Sequence, residues 1–204
     1  MTHLLDEPFQ TMNGETTTLR NLGGERWLVV NVASACGATP QYAGLQELHE
    51  KHDDLTVVGF PCNQFGAQEP GTHDEICEFT SSKYNVSFPL MAKIDVNGSD
   101  RLPLFERLCQ SAVAGGEAGD VRWNFEKFLI DVDGNVEQRA CGAAHQLALG
   151  VGLALEMQPA DRADASAARL VILHELVVAD MLREEIGAEG FGEIAALITD
   201  MAGS

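Results

Sequence analysis

The chain has few basic residues and no long apolar run, and both features restrict what it can contact. It carries 13 Lys and Arg residues against 31 Asp and Glu residues, for a formal net charge of −18. Nucleic acids and anionic membranes recruit basic patches, so we predict that neither is a partner. No stretch reaches the roughly 18 apolar residues of a membrane span. A secretory signal begins with basic residues and continues with an apolar run, whereas this chain has Asp6 and Glu7 in that region. We therefore expect a soluble, cytoplasmic protein.

Cysteine is scarce, and complete internal pairing is impossible because the count of five is odd. In a reducing compartment these residues are expected to rest as thiols. Cys36 has no second cysteine two residues further on, which argues against a dithiol exchange site. The histidines do not pair with cysteines at zinc spacing, so no metal site is predicted. The cysteines are Cys36, Cys62, Cys77, Cys109 and Cys141.

The first half of the chain has the pattern of a parallel βαβ unit. Residues 26–33 form an apolar run rich in β-branched residues, 39–52 have apolar residues at helical spacing, and 55–61 form a second apolar run. This order predicts an α/β domain with a parallel strand pair. Further along, the same criteria predict a helix over 73–84, an extended segment over 88–96, a short helix from Leu102 and a hairpin that turns at 133–135.

The composition changes after Gly142, where the chain becomes rich in alanine and acidic residues and has hardly any aromatics. Apolar residues at helical spacing over 167–185 predict a helix whose apolar face needs a partner. We therefore divide the chain into an α/β domain over 1–142 and a helical extension over 143–204.

Cys36 lies just past the first apolar strand and just before the predicted helix. The unpaired N–H groups at the start of a helix stabilise a thiolate relative to a thiol, which is the setting of a nucleophile. A buried structural cysteine is the alternative, and position alone does not decide between the two.

Three long motifs are specific enough to compare with those of known protein families. They are NVASACGATPQY over 31–42, GFPCNQFGAQEPG over 59–71 and WNFEKFLIDVDG over 123–134. In their order and separations they resemble the signature blocks of the glutathione peroxidase family, and the likeness covers roughly residues 5–140. The resemblance implies a thioredoxin-like fold, with a central mixed sheet flanked by helices, and a thiol-dependent reduction of hydrogen peroxide and organic hydroperoxides.

The resemblance also implies roles for particular residues. Cys36 stands where the family has its peroxidatic cysteine or selenocysteine, and Gln68, Trp123 and Asn124 stand where the family has the polar groups that assist it. Thiolate attack on the O–O bond would give a sulfenic acid at Cys36. No metal, haem or flavin cofactor is implied, because a thiol supplies the electrons.

The reductant depends on a resolving cysteine, which thioredoxin-using members of the family carry eight residues ahead of the phenylalanine of an FP motif. Here that position is Thr80, and Cys77 lies one helical turn earlier. We predict thioredoxin as the reductant if Cys77 resolves, and glutathione if it does not. Two alternatives are a redox-sensing interaction protein that relays oxidation from Cys36 to a partner, and a scaffold without catalytic activity.

Overall fold

Four strands form the central sheet of the computed structural model, which describes residues 2–111 and 118–140. Their order is β4-β3-β5-β6; β3 pairs with β4 in parallel and with β5 antiparallel, and β5 and β6 form the closing hairpin. The predicted mixed sheet is therefore confirmed. The elements in chain order are β1 (Phe9–Gln10), β2 (Thr16–Thr17), β3 (Arg26–Val32), α1 (Gln41–Lys51), β4 (Leu55–Pro61), α2 (His73–Tyr84), α3 (Pro103–Gln110), β5 (Lys127–Ile130) and β6 (Val136–Ala140).

The strands β3 and β4 are buried along their whole length, as their continuous apolar sequences predict. Their register runs from Arg26 opposite Leu55 to Val32 opposite Pro61. Because the two parallel strands end side by side, the loops that follow them leave the sheet at the same edge. The first of these loops carries Cys36, and the second carries Gln68.

Helix α2 coincides with the predicted range 73–84 because its ends are well marked in the sequence. Thr72 and Glu75 form a reciprocal capping box at its start, and Asn85 ends it in the left-handed conformation with φ 53°. Helix α1 begins at Gln41, two residues later than predicted, because residues 37–40 form turns.

The extended segment over 88–96 makes isolated bridges, from Leu90 to Gly59 and from Met91 to Thr11, and contains no regular strand. The closing hairpin is present, but β5 begins only at Lys127. Phe125 adopts a left-handed φ of 62°, which interrupts the regular strand geometry ahead of Lys127. The predicted helical extension over 143–204 lies outside the described residues, as does Cys141.

Among the described residues, no helix has the length and hydropathy that crossing a bilayer requires.

Candidate active site

Cys36 lies in the tight turn that joins β3 to α1, and its side chain is half-buried. The turn is closed by Thr39, whose hydroxyl accepts from the Cys36 N–H at 2.9 Å and donates to the Ala33 carbonyl at 2.9 Å. The Ala38 N–H points at the Cys36 sulfur, with N and Sγ 3.4 Å apart. The helix itself begins at Gln41, so the turn supplies the N–H group at the sulfur.

Gln68 lies in the loop that leaves β4, beside the Cys36 turn. This loop reverses direction through Gly66 and Ala67, which have φ values of 65° and 52°. The Gln68 carbonyl then accepts from the N–H of Ala35 at 2.9 Å. A backbone hydrogen bond therefore joins the residue ahead of Cys36 to Gln68.

Trp123 and Asn124 lie in the segment that precedes β5, and both contact the Gln68 loop. The buried Asn124 side chain donates from Nδ2 to Gln68 Oε1 at 2.8 Å. Trp123 is 47% exposed and packs on Phe65, with ring centroids 5.6 Å apart. The four residues named by the motifs thus belong to three segments, and the Gln68 loop contacts both of the others, the Cys36 turn and the Trp123–Asn124 segment.

Glu69 is a site residue that the sequence analysis did not single out. Its side chain is fully buried, with Oε2 accepting from the Ser34 hydroxyl at 3.1 Å, while its backbone N–H donates to Asn63 Oδ1 at 2.8 Å. Burial raises the pKa of the Glu69 carboxyl, and Oε1 has no hydrogen-bond partner among the described residues. In the sequence, the only signal was that a charged residue directly follows Gln68. Its contact with the Cys36 turn could not be predicted, because that contact forms only when the chain folds.

Helix α1 carries Tyr42, whose ring packs on Phe125 with the centroids 5.4 Å apart. Its side chain is fully buried, and in the part of the chain that the structure describes its hydroxyl has no hydrogen-bond partner. Burial holds the pKa of Tyr42 well above its usual value, and the nearby Glu69, Tyr84 and Cys77 add to that shift.

The four described cysteines are free thiols with different exposure. Cys62 and Cys109 are buried, and burial raises the pKa of both. Cys77 is half-buried on α2, and burial followed by the charge of Asp74 raises the pKa of its thiol. In residues 2–111 and 118–140, no three His, Cys, Asp or Glu side chains are grouped to hold a metal ion.

Comparison with known proteins shows the family of the chain. The family model described as Glutathione peroxidase matches residues 5–109. Glutathione peroxidase-like peroxiredoxin 2 of Saccharomyces cerevisiae is 48% identical over 141 residues, which cover 68% of this chain and 86% of the yeast protein. Hydroperoxy fatty acid reductase gpx1 of Synechocystis is 47% identical over 135 residues, covering 63% of this chain and 80% of the relative.

Solved structures give the same result for the fold. The crystal structure of Trgpx in its apo form matches with a TM-score of 0.58 and 34% identity, covering 76% of this chain and 96% of the other. A thioredoxin-like protein from Aeropyrum pernix, 18% identical, matches with a TM-score of 0.54 and covers 73% of this chain and 89% of its own. This chain belongs to the glutathione peroxidase family, has its thioredoxin-like fold, and is a thiol-dependent peroxidase that reduces hydroperoxides.

Proposed function

We propose that Cys36 is the nucleophile of this peroxidase and that Gln68, Trp123 and Asn124 support its reaction. The observation that carries the proposal is the pair of hydrogen bonds through Gln68. Its carbonyl binds the residue next to Cys36, and its side chain binds Asn124. The segment that carries Asn124 also carries Trp123, so the nucleophile and the three polar groups belong to one connected site.

The chemistry follows from these groups. The Cys36 thiolate attacks the distal oxygen of the hydroperoxide, the O–O bond breaks, and the sulfur becomes a sulfenic acid. The leaving oxygen takes up the proton that the thiol gave up, so an alcohol or water departs. The Ala38 N–H can stabilise the thiolate, and the amide and indole N–H groups are neutral donors that can stabilise the oxyanion that develops on the leaving oxygen. The sulfur gives up the two electrons, and no cofactor is needed.

Substitution of the proposed residues tests these roles. Cys36→Ser should abolish peroxidase activity, because the hydroxyl is not a comparable nucleophile. Gln68→Ala and Asn124→Ala should each lower the rate constant of Cys36 oxidation about 100-fold, the usual effect of removing one oxyanion donor. Gln110→Ala, at an exposed glutamine at the end of α3, is the matched control. Rates within twofold of wild type for both site variants would contradict the roles of Gln68 and Asn124.

We further propose that Cys77 resolves the sulfenic acid. Cys62 and Cys109 are buried, so Cys77 is the most accessible of the described thiols apart from Cys36 itself. The Cys77 sulfur would displace hydroxide from the oxidised Cys36, forming a disulfide and releasing water. This step needs the two Cα atoms within about 7 Å of each other. A thioredoxin-type dithiol would then reduce the disulfide, in keeping with relatives named peroxiredoxins.

The raised pKa of the Cys77 thiol gives this step a pH dependence. The attacking species is a thiolate, and burial together with Asp74 keeps Cys77 protonated at neutral pH. Disulfide formation after a single oxidation should therefore accelerate as the pH is raised towards the pKa of Cys77. A pH-independent rate would contradict thiolate attack by Cys77 as the limiting step.

The variant pair Cys77→Ser and Cys77→Ser/Thr80→Cys tests the resolving role. The first should keep Cys36 oxidation but lose turnover with thioredoxin. The second places a thiol where thioredoxin-using relatives carry theirs, on the buried side of α2, so it should recover turnover once α2 opens after Cys36 oxidation. Full thioredoxin turnover by Cys77→Ser would refute the role of Cys77, and turnover with glutathione alone would identify glutathione as the reductant.

We propose both hydrogen peroxide and larger organic hydroperoxides as substrates. The exposed indole of Trp123 packs on Phe65 of the Gln68 loop and offers an apolar surface there, and the Synechocystis relative is named for a fatty acid hydroperoxide. A higher kcat/KM for a fatty acid hydroperoxide than for hydrogen peroxide would support this surface as a binding site, and the reverse order would oppose it.

The reducing cytoplasm is the proposed compartment, because it keeps thiols such as these reduced.

A further inference from the structure

Asn31 is a polar residue in the middle of the apolar strand β3. Its side chain is fully buried, and its neighbours Val30 and Val32 are buried aliphatic residues. A buried amide without hydrogen bonds costs roughly 1–3 kcal/mol, so the partners of Asn31 account for its presence. In the part of the chain that the structure describes, both hydrogen-bond partners of the side chain lie in one distant segment, residues 123–126.

The Asn31 side chain holds this segment at two points. Its Nδ2 donates to the Trp123 carbonyl at 3.0 Å, and its Oδ1 accepts from the Glu126 N–H at 2.9 Å. The backbone adds two more contacts. The Phe125 N–H donates to the Asn31 carbonyl at 2.7 Å, and the Asn31 N–H donates to the Glu126 carbonyl at 3.3 Å.

This arrangement lies where the regular pairing of β3 with β5 ends. The register closes at Val30 opposite Lys127, and the chain ahead of it bends through the left-handed Phe125. Strand pairing alone therefore cannot fix the backbone at Trp123. An asparagine side chain carries a donor and an acceptor like those of a peptide group, so it continues the hydrogen bonding beyond the bend. A valine side chain at this position has no hydrogen-bond donor or acceptor, so it could make neither of these two hydrogen bonds.

We propose that Asn31 is a positioning residue, which sets the backbone from which Trp123 and Asn124 reach the Gln68 loop. The proposal rests on the proposed function in one respect, because it assumes that Trp123 and Asn124 assist the reaction at Cys36. Asn31 acts on the backbone of the segment, at the Trp123 carbonyl and the Glu126 N–H.

Two variants separate positioning from general stability. Asn31→Ala removes both side-chain hydrogen bonds. Asn31→Asp keeps the acceptor for the Glu126 N–H but puts an oxygen against the Trp123 carbonyl. When the introduced carboxyl is protonated it can donate again, so the defect of Asn31→Asp should diminish as the pH falls. Asn21→Ala and Asn21→Asp, at an exposed asparagine, are the matched controls.

Two measurements are made on each reduced full-length variant. The first is acrylamide quenching of tryptophan fluorescence, which reports on Trp123 because the other tryptophan, Trp27, is buried. The second compares the oxidation of Cys36 by hydrogen peroxide with its alkylation by iodoacetamide. We expect altered Trp123 quenching and an oxidation rate lowered about 10-fold or more, since small misplacements in a site are costly. Alkylation should stay within twofold of wild type.

The outcomes are distinct. Recovery of quenching and oxidation by Asn31→Asp at acid pH supports positioning, because a loss of packing would not reverse with protonation. Unchanged Trp123 quenching, or an equal loss of oxidation and alkylation, would overturn it. Should Asn31→Ala fail to fold, the pH profile of Asn31→Asp still decides. Failure of the proposed function shows separately, as peroxide reduction that survives Cys36→Ser.

Discussion

The buried ion pair between Arg139 of β6 and Glu126 makes a quantitative prediction about stability. The Arg139 and Glu126 side chains are 1% and 0% exposed, with Nε and Oε1 2.6 Å apart. Arg139 also donates to the carbonyls of Gly119 and Asp120, at 3.0 and 2.8 Å, and lies over the Phe128 ring. The pair therefore secures both sides of the segment that carries Trp123 and Asn124.

Arg139→Met keeps most of the apolar volume but leaves the Glu126 carboxylate in the core without its buried cation. The remaining ion-pair partner, Arg122, is 57% exposed with Nε 3.7 Å from Oε1. Removing one partner of a buried pair costs about 3–5 kcal/mol. Against a usual free energy of unfolding of about 5–15 kcal/mol, this is a large loss. Adding Glu126→Gln should recover about 2 kcal/mol, because no buried charge is then left unpaired.

Urea unfolding, followed by far-UV circular dichroism, measures these changes. Arg20→Met is the matched control, because Arg20 forms an exposed ion pair with Asp6, and its loss should move the urea midpoint little. A loss below about 1 kcal/mol for Arg139→Met would refute the reasoning. So would a double variant that is less stable than Arg139→Met alone.

Two further predictions concern the buried polar groups of Tyr42 and Glu69. Tyr42→Phe should raise the free energy of unfolding by about 1 kcal/mol, because it removes a buried hydroxyl that has no hydrogen-bond partner among the described residues. A lower urea midpoint would contradict this prediction. Glu69→Gln should change the pH dependence of stability. Burial raises the pKa of Glu69 above its ordinary 4.5, so the folded state holds this proton more tightly than the unfolded state. The contribution of Glu69 to the free energy of unfolding is fully present below pH 4.5 and is lost as the pH rises through the pKa of the folded state. The stability of wild type relative to Glu69→Gln should fall as the pH rises above 4.5, and a constant difference would contradict the shift.

Local sequence signals predicted much of the fold. The apolar runs of β3 and β4 and the helical spacing between them predicted the parallel βαβ unit, and the range predicted for α2 is the one observed. The motifs indicated that Cys36, Gln68 and Asn124 belong to one site. The structure brings the Gln68 and Asn124 side chains into contact, whereas their catalytic roles stay predictions.

The features that were not predicted depend on contacts between distant parts of the chain. The sequence WNFEKFLI has a strand-like composition, yet the left-handed Phe125 delays β5 until Lys127. The roles of Glu69 and Asn31 follow from partners in other segments, Ser34 and Trp123, which sequence spacing does not reveal. A polar residue within a buried apolar run is nevertheless a usable signal, because such a residue requires hydrogen-bond partners.

The most direct test of the central claim is a map of the first oxidation event. The fully reduced protein would be treated with one equivalent of hydroperoxide in the presence of a sulfenic acid trap, then digested and analysed by mass spectrometry. The account predicts that the label is found on Cys36 and, without the trap, that a Cys36–Cys77 disulfide forms. A labelled Cys36 without that disulfide would retain the peroxidase site and remove Cys77 as the resolving residue. An unmodified Cys36 in protein that has consumed the hydroperoxide would contradict the account.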